Sequence, residues 1–144
     1  MRVCWSTGLL PGLAGGVIVL SPLSAIAFTD SDRAESRGVI EQQIDAFRRD
    51  DGATAFSFAS PELHAIFQSP DRFMSMVRNG YAPVYRPKTY TFSDVAETAE
   101  GLTDTLAIED ADGQAWTAVY TLEKQPDGSW KITSCHLERA GVST

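Results

Sequence analysis

Asp110-Ala111-Asp112-Gly113-Gln114-Ala115-Trp116-Thr117-Ala118-Val119-Tyr120-Thr121-Leu122-Glu123-Lys124-Gln125-Pro126-Asp127-Gly128-Ser129 is one alternating run held between two turns of the same kind. Ala111-Asp112-Gly113 and Pro126-Asp127-Gly128 each suit a type I turn followed by a left-handed glycine in a G1 bulge, which pairs Asp110 with Gln114 and Gln125 with Ser129. Two fixed turns fix the register of the strands they join, and register decides which side chains share a face. Leu102, Leu106, Ile108, Trp116, Ala118, Leu122, Trp130 and Ile132 then fall together on the even face. Thr103, Thr105, Thr117, Thr121, Lys131 and Thr133 fall on the odd one.

Outward from this run, strand alternation predicts a four-stranded antiparallel meander near residues 89–97, 102–110, 115–124 and 129–138. Before it the period is helical. Asp32 suits an N-cap, Ile40, Ile44 and Phe47 form a buried stripe, and Asp50-Asp51-Gly52 ends the helix. A short turn bearing Phe56 and Phe58 follows. Ser60-Pro61-Glu62 and Ser69-Pro70-Asp71 then repeat one start signal, a capping serine, a proline at the first helical position and an acid in the first turn. They open two brief helices carrying Leu63, Ile66 and Phe67, then Phe73 and Val77, with Gly80 as the stop. Helices first and a half-covered sheet second make an α+β fold, with N-terminal helices packed on a curved four-stranded antiparallel sheet.

Residues 1–27 have the pattern of a cleaved signal peptide. Arg2 supplies the positive start, Gly8 to Leu20 is apolar but short for a bilayer span, and Ala25-Ile26-Ala27 is an A-x-A cleavage site. The expected product is a single domain of residues 28–144 in the periplasm or outside the cell, with no membrane insertion after cleavage. Cys4 leaves with the leader, so Cys135 has no intramolecular partner in a compartment that favours disulfides.

The chain has 12 basic and 19 acidic residues and a net charge of −7, which excludes nucleic acid as a partner because phosphate neutralisation needs a basic face. From Arg72 to Ser93 there is no acid, while Arg72, Arg78, Arg86 and Lys88 all fall there. No metal motif, phosphate loop or nucleophile elbow is present, so neither a metal nor a cofactor is expected. Glu109-Asp110-Ala111-Asp112-Gly113 is a turn: read as a calcium loop with Gly113 in the sixth place, it puts Ile108 first and Val119 twelfth, where acids belong.

Met76-Val77-Arg78, Gly80-Tyr81-Ala82-Pro83-Val84-Tyr85-Arg86-Pro87 and Gln125-Pro126-Asp127-Gly128-Ser129-Trp130-Lys131-Ile132 with Cys135 resemble the bacterial family called domain of unknown function 4864. The order of helices and bent sheet resembles its parent, the nuclear transport factor 2-like superfamily. The resemblance implies a cone-shaped fold and assigns no activity, because that fold hosts isomerases, dehydratases, binding modules and assembly domains alike.

Two candidate sites follow from the residues. On the even face the register aligns Asp104, Tyr120 and Ser134 across three strands, beside Trp116, and His136 is the next even position. Four polar groups on a covered face must be paired or line a cavity. Asp104 and His136, two strands apart, lie roughly 10 Å from each other, able to bracket a ligand but not to form a dyad. The second candidate is the Arg78–Lys88 linker, which Pro83 and Pro87 would hold extended, presenting Tyr81 and Tyr85 beside Arg78 and Arg86 to an anionic or aromatic ligand.

The reading that follows is a small-ligand-binding or accessory protein of the cell envelope that holds a small molecule or peptide in the cone. The alternatives are a cofactor-independent lyase or isomerase using His136 and Asp104, and an assembly domain dimerising through the odd face at Val119, Cys135 and Leu137. Export is checked by N-terminal sequencing of the protein recovered outside the cytoplasm. The expected first residue is Phe28, and an intact Met1 on that species would overturn the cleavage.

Overall fold

The two turns close in the predicted register. Asp110 N–H donates to Gln114 C=O at 2.9 Å and Gln125 N–H to Ser129 C=O at 2.7 Å, while Gly113 (φ 82°) and Gly128 (φ 87°) take the left-handed conformation. In this computed structural model, which describes residues 27–141, four antiparallel strands follow the helices: β1 (Thr89–Glu97), β2 (Gly101–Glu109), β3 (Ala115–Lys124) and β4 (Trp130–Arg139), in the spatial order β1-β2-β3-β4. Residues 1–26 of the expected leader lie outside the described residues. Among those described, no helix is long and apolar enough to cross a membrane.

The first helix, α1 (Asp30–Arg48), starts earlier than the sequence reading put it. Thr29 is the N-cap, and Asp32 is its reciprocal partner in a capping box. Asp32 also receives Lys124 Nζ of β3 at 2.8 Å, and these hydrogen bonds, Lys124's first, hold its carboxyl at about 2. Ile40, Ile44 and Phe47 are buried as the helical period requires, each contributing about 1.5–3 kcal/mol of apolar transfer.

The short turn expected at Phe56 is a helix, α2 (Gly52–Ser57), capped by Asp51. Ser60 and Ser69 cap α3 (Pro61–Phe67) and α4 (Pro70–Gly80), each with proline in the first turn. Gly80 is the last residue of α4, and a fifth helix, α5 (Ala82–Tyr85), follows almost at once. The linker is therefore not extended: Pro83 sits in the first turn of α5, where its missing N–H and fixed φ suit a helix as well as they suit a strand.

Between β2 and β3 the pairing runs without a break, with Leu102 opposite Leu122, Asp104 opposite Tyr120, Leu106 opposite Ala118 and Ile108 opposite Trp116. Each edge strand carries one bulge. In β1 it falls between Phe92 and Asp94, and in β4 it inserts Thr133 between Ile132, paired with Leu122, and Ser134, paired with Thr121. A bulge bends its strand and exchanges its faces. Beyond it Tyr120 faces Cys135 and Val119 faces His136, so the even face continues through Cys135 and Leu137.

Ahead of the bulge, β4 is held on its outer side by the chain between α2 and α3. Ser60 N–H donates to Ile132 C=O at 2.9 Å, and Ile132 N–H to Phe58 C=O at 2.8 Å. At the same end of the sheet Gly101 opens β2 against β3, where a β-carbon would lie 1.9 Å from the Leu122 carbonyl oxygen. Gly101→Ala must push the two central strands apart, so a loss of about 3 kcal/mol in urea unfolding is expected. A loss under about 0.5 kcal/mol, the range of surface substitutions, would show that the strands are not so close.

Candidate ligand cavity

A gap is left between the helices and the β3–β4 half of the sheet. The gap is a cavity of about 360 Å³. Gln43 and Phe47 of α1 form one wall; Phe73, Met76 and Val77 of α4 and Val84 of α5 form another. Tyr120 and the segment Ile132–Cys135 form the floor, and the half-buried Leu63, Phe67 and Tyr81 complete the lining. The volume lies within the range of small-molecule sites, and the lining is mostly apolar with a few polar atoms, as such sites are.

The polar atoms have different partners. Gln43 is buried and its amide donates to Ala55 C=O at 3.2 Å, which ties α1 to α2. The Tyr81 hydroxyl donates to Cys135 C=O at 3.2 Å, fastening the chain after α4 to the edge strand just past the bulge. Tyr120 is 1% exposed and its hydroxyl makes no hydrogen bond, although the Cys135 thiol lies alongside. Burial raises the Tyr120 phenol well above its ordinary value and pushes the Cys135 thiol up to about 12. The floor thus carries an un-ionised phenol and an un-ionised thiol, and the thiol is a poor nucleophile in this state.

The sequence-predicted residues divide between this cavity and four other places. Tyr120 and Tyr81 line the cavity. Ser134 borders it along β4, but its side chain is on the exposed side after the bulge. His136 is turned to the open face as well, its side chain 69% exposed and its Nε2 3.1 Å from Glu138. The register expected for the second half of β4 is corrected on this point: the inserted Thr133 moves Ser134 and His136 off the helix-covered face and puts Cys135 and Leu137 on it. Asp104 and His136 therefore do not bracket a common ligand. The odd face correspondingly loses Cys135 and Leu137, the apolar pair expected to support a dimer there.

Asp104 is fully buried, but it faces α1 and is absent from the cavity lining. Ser36 Oγ donates to its Oδ2 at 2.8 Å, and Arg37 Nε stands 3.7 Å from Oδ1, which has no hydrogen bond. Burial raises its carboxyl above the ordinary 3.8, against the opposing pull of Ser36 and Arg37. Trp116 lies near the end of the sheet away from the cavity, where its indole N–H donates to Asp110 at 2.8 Å and Arg139 stacks on the ring.

The basic zone also has a different role from the one expected. Arg78 and Arg86 both turn to Asp50, the left-handed residue (φ 53°) that follows α1. Arg86 reaches its carboxylate at 2.8 Å and stacks on the Tyr85 ring at 4.2 Å; the Tyr85 hydroxyl also donates to Asp50. Arg86 further donates to the Phe47 carbonyl at the end of α1. The Tyr85 hydrogen bond, then Arg86 and Arg78, hold the Asp50 carboxyl below the usual range. The expected anion receptor is already filled by a carboxylate of the same chain, and of Arg78, Tyr81, Tyr85 and Arg86 only Tyr81 lines the cavity.

Cys135, Gln43, Phe73 and Met76 were not singled out from the sequence as lining residues. The signal for Cys135 was present, because the apolar positions of β4 change from even (Trp130, Ile132) to odd (Cys135, Leu137). β1 changes in the same way, from Tyr90 and Phe92 to Val95.

A family model described as "Domain of unknown function (DUF4864)" matches residues 29–143. No curated protein matches the chain. Two crystal structures share the fold. One is an NTF-2-like protein of unknown function from Silicibacter pomeroyi DSS-3, 18% identical, covering 78% of this chain and 99% of its own, with a TM-score of 0.54. The other is an NTF2-like protein of unknown function from Shewanella baltica OS155, 13% identical, covering 79% of this chain and 100% of its own, also with a TM-score of 0.54.

Asp104 gives stability a pH slope of definite sign. A carboxyl whose pKa is raised on folding favours the folded state at low pH and withdraws that support as pH rises from 3.8 through the folded value. Urea unfolding of the wild type is expected to lose stability across that interval relative to Asp104→Asn, which cannot ionise. Parallel curves for the two proteins would show that Asp104 is not desolvated.

Proposed function

The chain belongs to the DUF4864 family, and on that premise we propose that it is a binding module for a small, largely apolar molecule held in the cone between helices and sheet. The observation that carries this reading is the cavity itself: about 360 Å³, with no charged residue in its lining among the described residues. A gap of this size in a well-packed protein forfeits contacts that filling would restore. An occupant would supply them.

An acid-base enzyme finds less support. General acid-base chemistry needs a titratable group within hydrogen-bond reach of the reacting atom. Asp104 is enclosed under α1 and His136 is on the open face. The lining offers only a phenol and a thiol whose protons are held by burial. Export, inferred from residues 1–27, would place the module in the periplasm or outside the cell, where it would capture or present its ligand.

The test is native mass spectrometry and thermal unfolding of the protein incubated with fractionated metabolite extracts, beside Val77→Phe, which fills the cavity from α4. The expected result is a low-mass species retained by the wild type that raises its Tm and is lost from a folded Val77→Phe. Retention of that species by the variant would place the site elsewhere, and no retained species from any fraction would count against a binding role.

A further inference from the structure

The Tyr120 hydroxyl is an orphan. The side chain is 1% exposed, it lines the cavity floor, and its oxygen has no hydrogen-bond partner among the described residues. A buried hydroxyl left unpaired is costly, so one that persists needs a partner from outside the chain. The Cys135 thiol lies close enough to interact with it, but outside good hydrogen-bond geometry, and a thiol is in any case a weak partner that leaves room for a stronger one. The other buried polar side chain of the cavity, Gln43, already donates to Ala55 C=O.

We infer that the ligand is a neutral molecule with an apolar body and one carbonyl oxygen, which accepts a hydrogen bond from the Tyr120 hydroxyl at the cavity floor. This rests on the cavity being a binding site. Three features set the class. The donor is a phenol, a better donor than acceptor, and burial keeps its proton in place. The remaining walls, Phe47, Phe73, Val77, Val84 and Ile132, demand an apolar body. The described lining has no lysine or arginine, because Arg78 and Arg86 are turned to Asp50, so a carboxylate would be buried without a countercharge.

The experiment compares three probes of one shape, indane, indanone and a carboxy-indanone, by calorimetric titration of the wild type and Tyr120→Phe. Indanone is expected to bind the wild type about tenfold more tightly than indane, the preference of one buried hydrogen bond, and the carboxylate more weakly than either. In Tyr120→Phe indane affinity should be unchanged and the preference for indanone lost. Removing an unpartnered hydroxyl should also leave the ligand-free variant melting at or above the wild type. Equal binding of indane and indanone to the wild type, or a preference that survives in Tyr120→Phe, overturns the carbonyl inference and leaves the binding module standing. A ligand-free variant that melts far below the wild type overturns it too, by showing that the hydroxyl has a structural partner. Failure of all three probes to bind counts against the cavity as a site and removes the inference with it.

Discussion

One inserted residue in the last strand sets the rest of the molecule. Thr133 has no place in the ladder with β3, and everything after it changes faces. Without it, Ser134 and His136 would point at the helices and Cys135 and Leu137 at solvent. With it, the covered face stays apolar to the end of the strand. The bulge falls just past the position where β4 is gripped on both sides, by Leu122 of β3 and by the backbone of Phe58 and Ser60. Clamped at Ile132 and released beyond it, the strand bends, and the space under the bend is the cavity. A bulge increases local twist and re-aims side chains, and here it does both beside the buried Tyr120 hydroxyl, which no neighbour satisfies.

The arginines of the acid-free zone show that local composition is not local electrostatics. In sequence they form an unopposed basic stretch; in space they converge on Asp50, which the chain brings to them from the far end of α1. The contact joins α4, α5 and the end of α1 through a carboxylate, a phenol and two guanidiniums, with Arg86 also on the Phe47 carbonyl. These groups are substantially exposed, so the Coulombic gain is modest and geometric definition is the larger consequence. The cluster fixes α5, and α5 carries Val84 into the cavity wall.

Asp104 and Tyr120 are direct neighbours across β2 and β3, yet they face different surroundings. Asp104 meets the N-terminal half of α1, where Ser36 and Arg37 partly compensate a buried carboxyl. Tyr120 lies one strand closer to the edge strand β4, over the gap that α1 and α4 line with Gln43, Phe47, Phe73 and Val77. The difference between a structural acid and an open binding group is thus one strand spacing, about 4.8 Å.

The sequence by itself determined the class of fold, the strands to within a residue or so, the two G1 turns, the pairing of β2 with β3 and the serine-proline helix starts. All of these follow from local rules: periodicity, turn chemistry and capping act within a few residues. It also placed Tyr120 on the covered face. What only the tertiary structure decided is which of the covered residues meet a gap and which meet a helix, because packing gaps arise where curved and straight elements fail to fit. Parity in the edge strands was partly legible, since the apolar positions switch in both β1 and β4, but extrapolating one register through Thr133 carried Ser134 and His136 to the wrong side. The pairing of Asp50 with Arg78 and Arg86 was not legible at all, because charge partners so far apart in the chain are brought together only by the way the helices pack.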